Sequence, residues 1–146
     1  MGAFLGAAAI AIVSVGAGSA RPTEAQVDVP MAVQRTQAMI VAYQLDNSGL
    51  HDLDVKLNAG EMVPGALGKV RKARIATQAA AWPSELQDKA NDVVTTMMAL
   101  EASLRDEDVA ASAPRAHAVH DAYHDLSDAV YVWLSGATPS TPVHAH

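Results

Sequence analysis

The sequence predicts an all-α protein, an antiparallel up-down-up-down four-helix bundle. Apolar residues recur at alternating three- and four-residue steps in four successive stretches, which is the period of one helix face. No stretch alternates apolar and polar side chains as a half-buried strand would. The composition suits closely packed helices. Half of the 146 residues are apolar, yet only one Phe, two Trp and three Tyr are aromatic, and alanine supplies much of the remainder.

Residues 1–20 stand apart from the bundle. Residues 3–20 carry no charge and end in Gly18-Ser19-Ala20, a small-x-small pattern before Arg21-Pro22. This reads as a secretory signal peptide. No Lys or Arg precedes the apolar run, so the rival expectation is a retained membrane anchor through residues 3–20. Either reading exports the rest of the chain, to the periplasm or an equivalent compartment.

Residues 21–28 form a polar leader, and residues 29–135 the bundle. Asp28 can cap helix A, which starts around Val29-Pro30. Val29, Val33, Thr36, Ile40, Tyr43 and Asn47 share one face and are its expected core side. Gly49 bends or ends the helix, a further turn reaches Leu57, and Asn58-Ala59-Gly60 stops it. Helix B is expected over residues 62–81, with Pro64 near its start and Val63, Leu67, Val70, Ala73, Thr77 and Ala80 facing the core. Its basic cluster, Lys69, Arg71, Lys72 and Arg74, reads as a solvated face, or as a dock for an acidic partner.

Trp82-Pro83 separates helix B from helix C. Leu86, Ala90, Val93, Met97, Leu100 and Leu104 then make the cleanest seam in the chain, and Met97 and Met98 read as core filler. Asp106, Glu107 and Asp108 suit the positive N-terminus of helix D, which ends at Gly136. Pro114 should kink that helix or mark its start. Ser112, Ala116, Val119, Tyr123, Leu126, Val130 and Trp133 form its apolar stripe. Residues 136–146 are a Pro- and Thr-rich tail, expected to be disordered, with His144 and His146 as weak metal donors at most.

The net charge of −6 argues against a nucleic-acid partner. The absence of cysteine excludes disulfides, thiolate metal sites, iron–sulfur clusters and covalently attached haem. No phosphate-binding glycine loop, nucleophile elbow, His-Glu-x-x-His pair or paired Glu-x-x-His motif occurs, so an enzyme is not expected.

The remaining chemistry lies on helix D. His117, His120 and His124 accompany Asp121, Asp125 and Asp128. His120 lies roughly 60° and His124 roughly 100° from Tyr123 at the centre of the stripe, while His117 points further out. The residues admit three readings. They can be a solvated polar flank, with His–Asp contacts worth a few tenths of a kcal/mol. They can form a Zn or Cu site from His117, His120, His124 and Asp121 or Asp128, since imidazoles one turn apart can share an ion. They can also supply a haem ligand.

The order of these motifs resembles the periplasmic four-helix-bundle cytochromes, the soluble b-type bundle cytochrome and the cytochrome c-prime group. The likeness spans roughly residues 29–134. It rests on Ala122-Tyr123-His124 late in helix D and on Ala66, Leu67, Lys69 and Arg71 early in helix B. The resemblance implies a haem-ligating His124, with His120 and Tyr123 beside the haem where the c-prime group has its two cysteines. It also implies a Met from helix A as second axial ligand. Matching the start of helix A near Val29 with the end of helix D near Leu134 sets Met39 opposite His124, and Met39 lies roughly 60° from the helix A stripe whereas Met31 points further out.

Three functions follow as expectations. The first is an exported electron-transfer protein holding non-covalent haem b between His124 and Met39, with a redox protein or membrane complex as partner. The second is an exported Cu- or Zn-binding bundle using the helix D histidines. The third is a cofactor-free structural subunit of a membrane complex.

Overall fold

A computed structural model describes residues 29–136. Helices cover 81% of these residues, and no strand occurs among them. In chain order they are α1 (Met31–Asp46), α2 (Leu50–Asn58), α3 (Ala66–Ala79), α4 (Ser84–Arg105) and α5 (Val109–Ser135). The expected signal or anchor, the leader with its Asp28 cap, and the tail with His144 and His146 lie outside the described residues.

The expected helix A is two helices. Gly49 sits in the left-handed region at φ 73°, where a Cβ is disfavoured, and it separates α1 from α2. The expected helix B is shorter than its pattern and starts after Gly65. Trp82 closes the far end of α3: its indole N–H donates to the Thr77 carbonyl at 2.7 Å, satisfying a terminal acceptor. The Ala81 amide donates to the Gln37 side chain and ties that turn to α1. Asp108 caps α5 by accepting from the Ala111 amide. The cap lies upstream of Pro114, which therefore falls inside α5 and does not mark its start. Gly136, at φ 69°, ends the helix.

The helices pack around one core. α5 lies against α1, α2 and α4, while α4 also packs on α3. Every member of the expected α4 seam is buried, as is the α5 stripe apart from the half-buried Trp133. Leu45, Leu57, Met97, Leu100 and Leu126 are among the fully enclosed side chains, each stabilising the fold by roughly 1.5–3 kcal/mol. Met98 departs from the core-filler expectation, because it lies one residue round from the seam and is exposed.

The expected core face of α1 is overturned. Ala38, Val41, Ala42 and Leu45 are buried, whereas Val33, Thr36, Ile40, Tyr43 and Asn47 are exposed. The two stripes lie on opposite sides of the helix and both are largely apolar, so periodicity alone ranks the stripe with larger side chains first. Packing selects the other because alanines at 38 and 42 let α1 approach its neighbours closely. The expected solvated basic cluster of α3 also divides. Arg71 and Arg74 pair with the buried Glu101 of α4, and Lys69 and Lys72 line a groove between α1 and α3.

Candidate metal centre

Two polar strips face each other across the α2–α5 contact. On α5, His117, His120, Asp121 and His124 occupy positions i, i+3, i+4 and i+7, which fall on one flank of a helix. On α2, His51, Asp54 and Asn58 repeat the same spacing. Leu50, Leu53 and Leu57 bury the adjoining face of α2 and fix its rotation. The strip beside them is thereby turned toward α5.

Asp54, His117 and His120 converge most closely. Each offers a ligand atom, and these atoms all lie within 4.8 Å of one another. Asp54 is buried. Its Oδ1 accepts from the Asn58 amide at 2.7 Å, and its Oδ2 lies 3.5 Å from His117 Nδ1. Asn58 orients the carboxylate and leaves the second oxygen toward the histidines. His117 is 63% exposed and also reaches to 3.7 Å from Asp121. His120 is 20% exposed and sits innermost among the histidines of the α5 strip.

His51 extends the group. Its Nδ1 lies 2.9 Å from His120 Nε2, a contact in which one ring donates and the other accepts. His124 packs edge-on against His120 with ring centroids 4.5 Å apart, and Tyr123 meets His120 edge-on at 5.4 Å. Two imidazoles thus converge on one buried carboxylate, and two more pack against His120.

The electrostatics favour a neutral His120. Burial is the main cause that pushes its pKa below 6.5. His124 and then His51 act in the same direction, while Asp54 and Asp121 oppose them. A neutral imidazole keeps a lone pair available at neutral pH, which ligation requires. His120 Nδ1 is moreover buried without a hydrogen-bond partner, with Asp121 Oδ1 3.6 Å away. A buried nitrogen left unpaired is costly unless something else occupies it. Tyr123 has its pKa raised, first by burial and then by Asp46 and Asp54, so it stays a neutral phenol beside the group.

The structure places the other expected site residues elsewhere. His124 is exposed on the rim of the cluster. Met39 is 53% exposed on α1, and Met31 is exposed too. Arg35 donates to the Leu134 carbonyl, and Asp46 accepts from Ser127. Met39 therefore lies level with the last turns of α5, beyond His124. Level-matching from Val29 missed this because Arg35, well inside α1, is what meets Leu134. Neither His124 nor Met39 lines the groove between α1 and α3 or the one between α4 and α5. An exposed imidazole and an exposed thioether at different levels do not fit a haem enclosed between α1 and α5. The aspartates Asp125 and Asp128 are exposed, with Asp125 3.8 Å from Lys89.

Sequence reasoning missed His51 and Asp54. The signal was present as His-x-x-Asp, with Asn58 one turn on, but no local pattern says which face of α5 these residues meet. Compared with protein-family models, with curated proteins and with solved structures, the chain matches none of them.

Proposed function

We propose that this protein binds a divalent transition-metal ion, zinc or copper, through Asp54, His117 and His120. The observation that carries this reading is the convergence of three such donors, from two helices, within 4.8 Å. Two imidazoles and a carboxylate form a borderline donor set that suits zinc or copper, and the chain has no thiolate to compete. Three protein ligands leave a position for water or for His51. The exposed side of His117 gives the ion a route in from solvent. His124 and Asp121 adjoin the same donors, so the reading keeps the α5 histidines and adds α2. The role proposed is binding or buffering of the ion, which needs only the three ligands.

The helices are read as an up-down-up-down arrangement in which α1 and α2 together make the first arm. Support comes from paired contacts in opposed sequence order. Arg35 meets Leu134, Asp46 meets Ser127, His51 meets His120 and Asp54 meets His117. Between α4 and α5, the short turn brings Arg105 close to Val109 while Lys89 near the start of α4 meets Asp125 far along α5, the same opposed order. Export remains part of the reading, resting on the uncharged residues 3–20.

Metal content of purified protein, followed by titration with Zn²⁺ and Cu²⁺, tests the proposal. One ion per chain is expected, lost in His117→Ala and in His120→Ala. Binding that survives both substitutions would refute it. A Soret band abolished by His124→Ala would instead return the protein to the haem reading.

A further inference from the structure

The α1 stripe that packing leaves outside has a chemistry of its own. Val33, Ile40 and Tyr43 span roughly 80° of arc opposite the buried face of α1. Ile40 is 46% and Tyr43 66% exposed. Across the groove, Ile75 of α3 is exposed as well. Lys69 and Lys72 line the groove between these residues, and neither enters an ion pair among the described residues. α3 carries four basic and no acidic residues, although the chain as a whole is acidic.

We propose that the α1–α3 face docks on a bilayer carrying anionic headgroups, with Val33, Ile40, Tyr43 and Ile75 entering the interface and Lys69 and Lys72 contacting the headgroups. Aliphatic side chains flanked by a tyrosine and by lysines with long apolar stems make up an interfacial surface. No helix among the described residues is long and apolar enough to cross a membrane, so the contact is one of lying on the surface. The sequence before α1 agrees with this orientation. The uncharged residues 3–20 are joined to residue 29 by eight polar-leader residues, which reach at most about 28 Å when extended. If residues 3–20 enter a bilayer, that length keeps α1 beside it. A second copy is a poorer occupant. The same face would oppose lysine with lysine, and the acidic α4–α5 side would set charges against Val33, Ile40 and Tyr43.

The test uses the full chain with Tyr43→Trp and vesicles whose acyl chains are brominated, which quench a buried indole. Vesicles of phosphatidylcholine alone are compared with vesicles that also contain phosphatidylglycerol. The introduced indole is expected to be quenched, beyond the unaltered chain, only with the anionic lipid. Adding Lys69→Gln and Lys72→Gln should raise the vesicle concentration for half-maximal quenching roughly 25-fold, about fivefold per lysine. If residues 3–20 already hold every molecule at the vesicle, the extra quenching must still require the anionic lipid and both lysines. Helical circular dichroism confirms folding of these surface variants. No extra quenching, or equal quenching with either lipid and without the lysines, overturns the proposal. Lipid-free self-association that Ile40→Asp abolishes would overturn it also, by assigning the face to a second copy.

Discussion

Asp54→Asn is the sharpest probe of the metal centre, because it changes charge and hardly changes shape. The asparagine keeps an oxygen that can accept from Asn58, so the α2 turn is preserved. An ion ligated among atoms lying within 4.8 Å of each other sits within about 4 Å of the carboxylate. Two unit charges at that distance attract by about 1 kcal/mol even at the dielectric constant of water, and a divalent ion doubles this to about 2 kcal/mol. The Asp54 side chain is only 10% exposed, so bulk screening overstates the weakening and this figure is a floor. Affinity should therefore fall at least about 30-fold. Isothermal titration of Zn²⁺, or competition with a chromophoric chelator at fixed pH and salt, reads the change. Metal-free stability should move by less than about 1 kcal/mol, because the variant removes no packing. Zinc affinity within threefold of the unaltered protein would refute the reasoning and confine any site to α5, given that threefold is only about 0.7 kcal/mol.

Other predictions concern the frame that holds the site. Met97→Ala opens a cavity in the α4 seam at a fully enclosed position and should cost about 2–5 kcal/mol in denaturant unfolding. Gly49→Ala forces a Cβ into the left-handed region and should cost about 1–2 kcal/mol. The nearest atom to that Cβ, Lys69 Nζ at 3.7 Å, adds no clash, so Gly49→Asn should cost less. Acid should weaken the fold through His120. The unfolded chain takes up this proton below about pH 6.5 and the folded chain only at lower pH, so the unfolded state holds more protons between the two values. This contribution is flat above about pH 6.5 and falls as pH drops below it, and His120→Asn should remove that slope from chemical denaturation measured across the range.

Helix existence was legible from the sequence because α4 and α5 each have one apolar stripe and a polar remainder. Leu86 to Leu104 and Ser112 to Val130 could face inward in only one way. Punctuation was legible for the same local reasons, at Gly49, Trp82-Pro83 and Gly136. The histidine flank of α5 was visible too, since helical spacing alone aligns His117, His120 and His124. α1 was different. Its two opposite faces are both apolar, so the choice between the Val33–Ile40–Tyr43 stripe and the Ala38–Val41–Leu45 stripe belongs to close packing, which rewards small side chains that periodicity undervalues. The partners of the histidines also lay beyond local pattern. Asp54 and His117 are 63 residues apart, and nothing in either helix specifies the vertical offset between them. That offset is set where the leucines of α2 seat against α5. The same seating turns His51 and Asp54 toward His120 and leaves His124 at the rim.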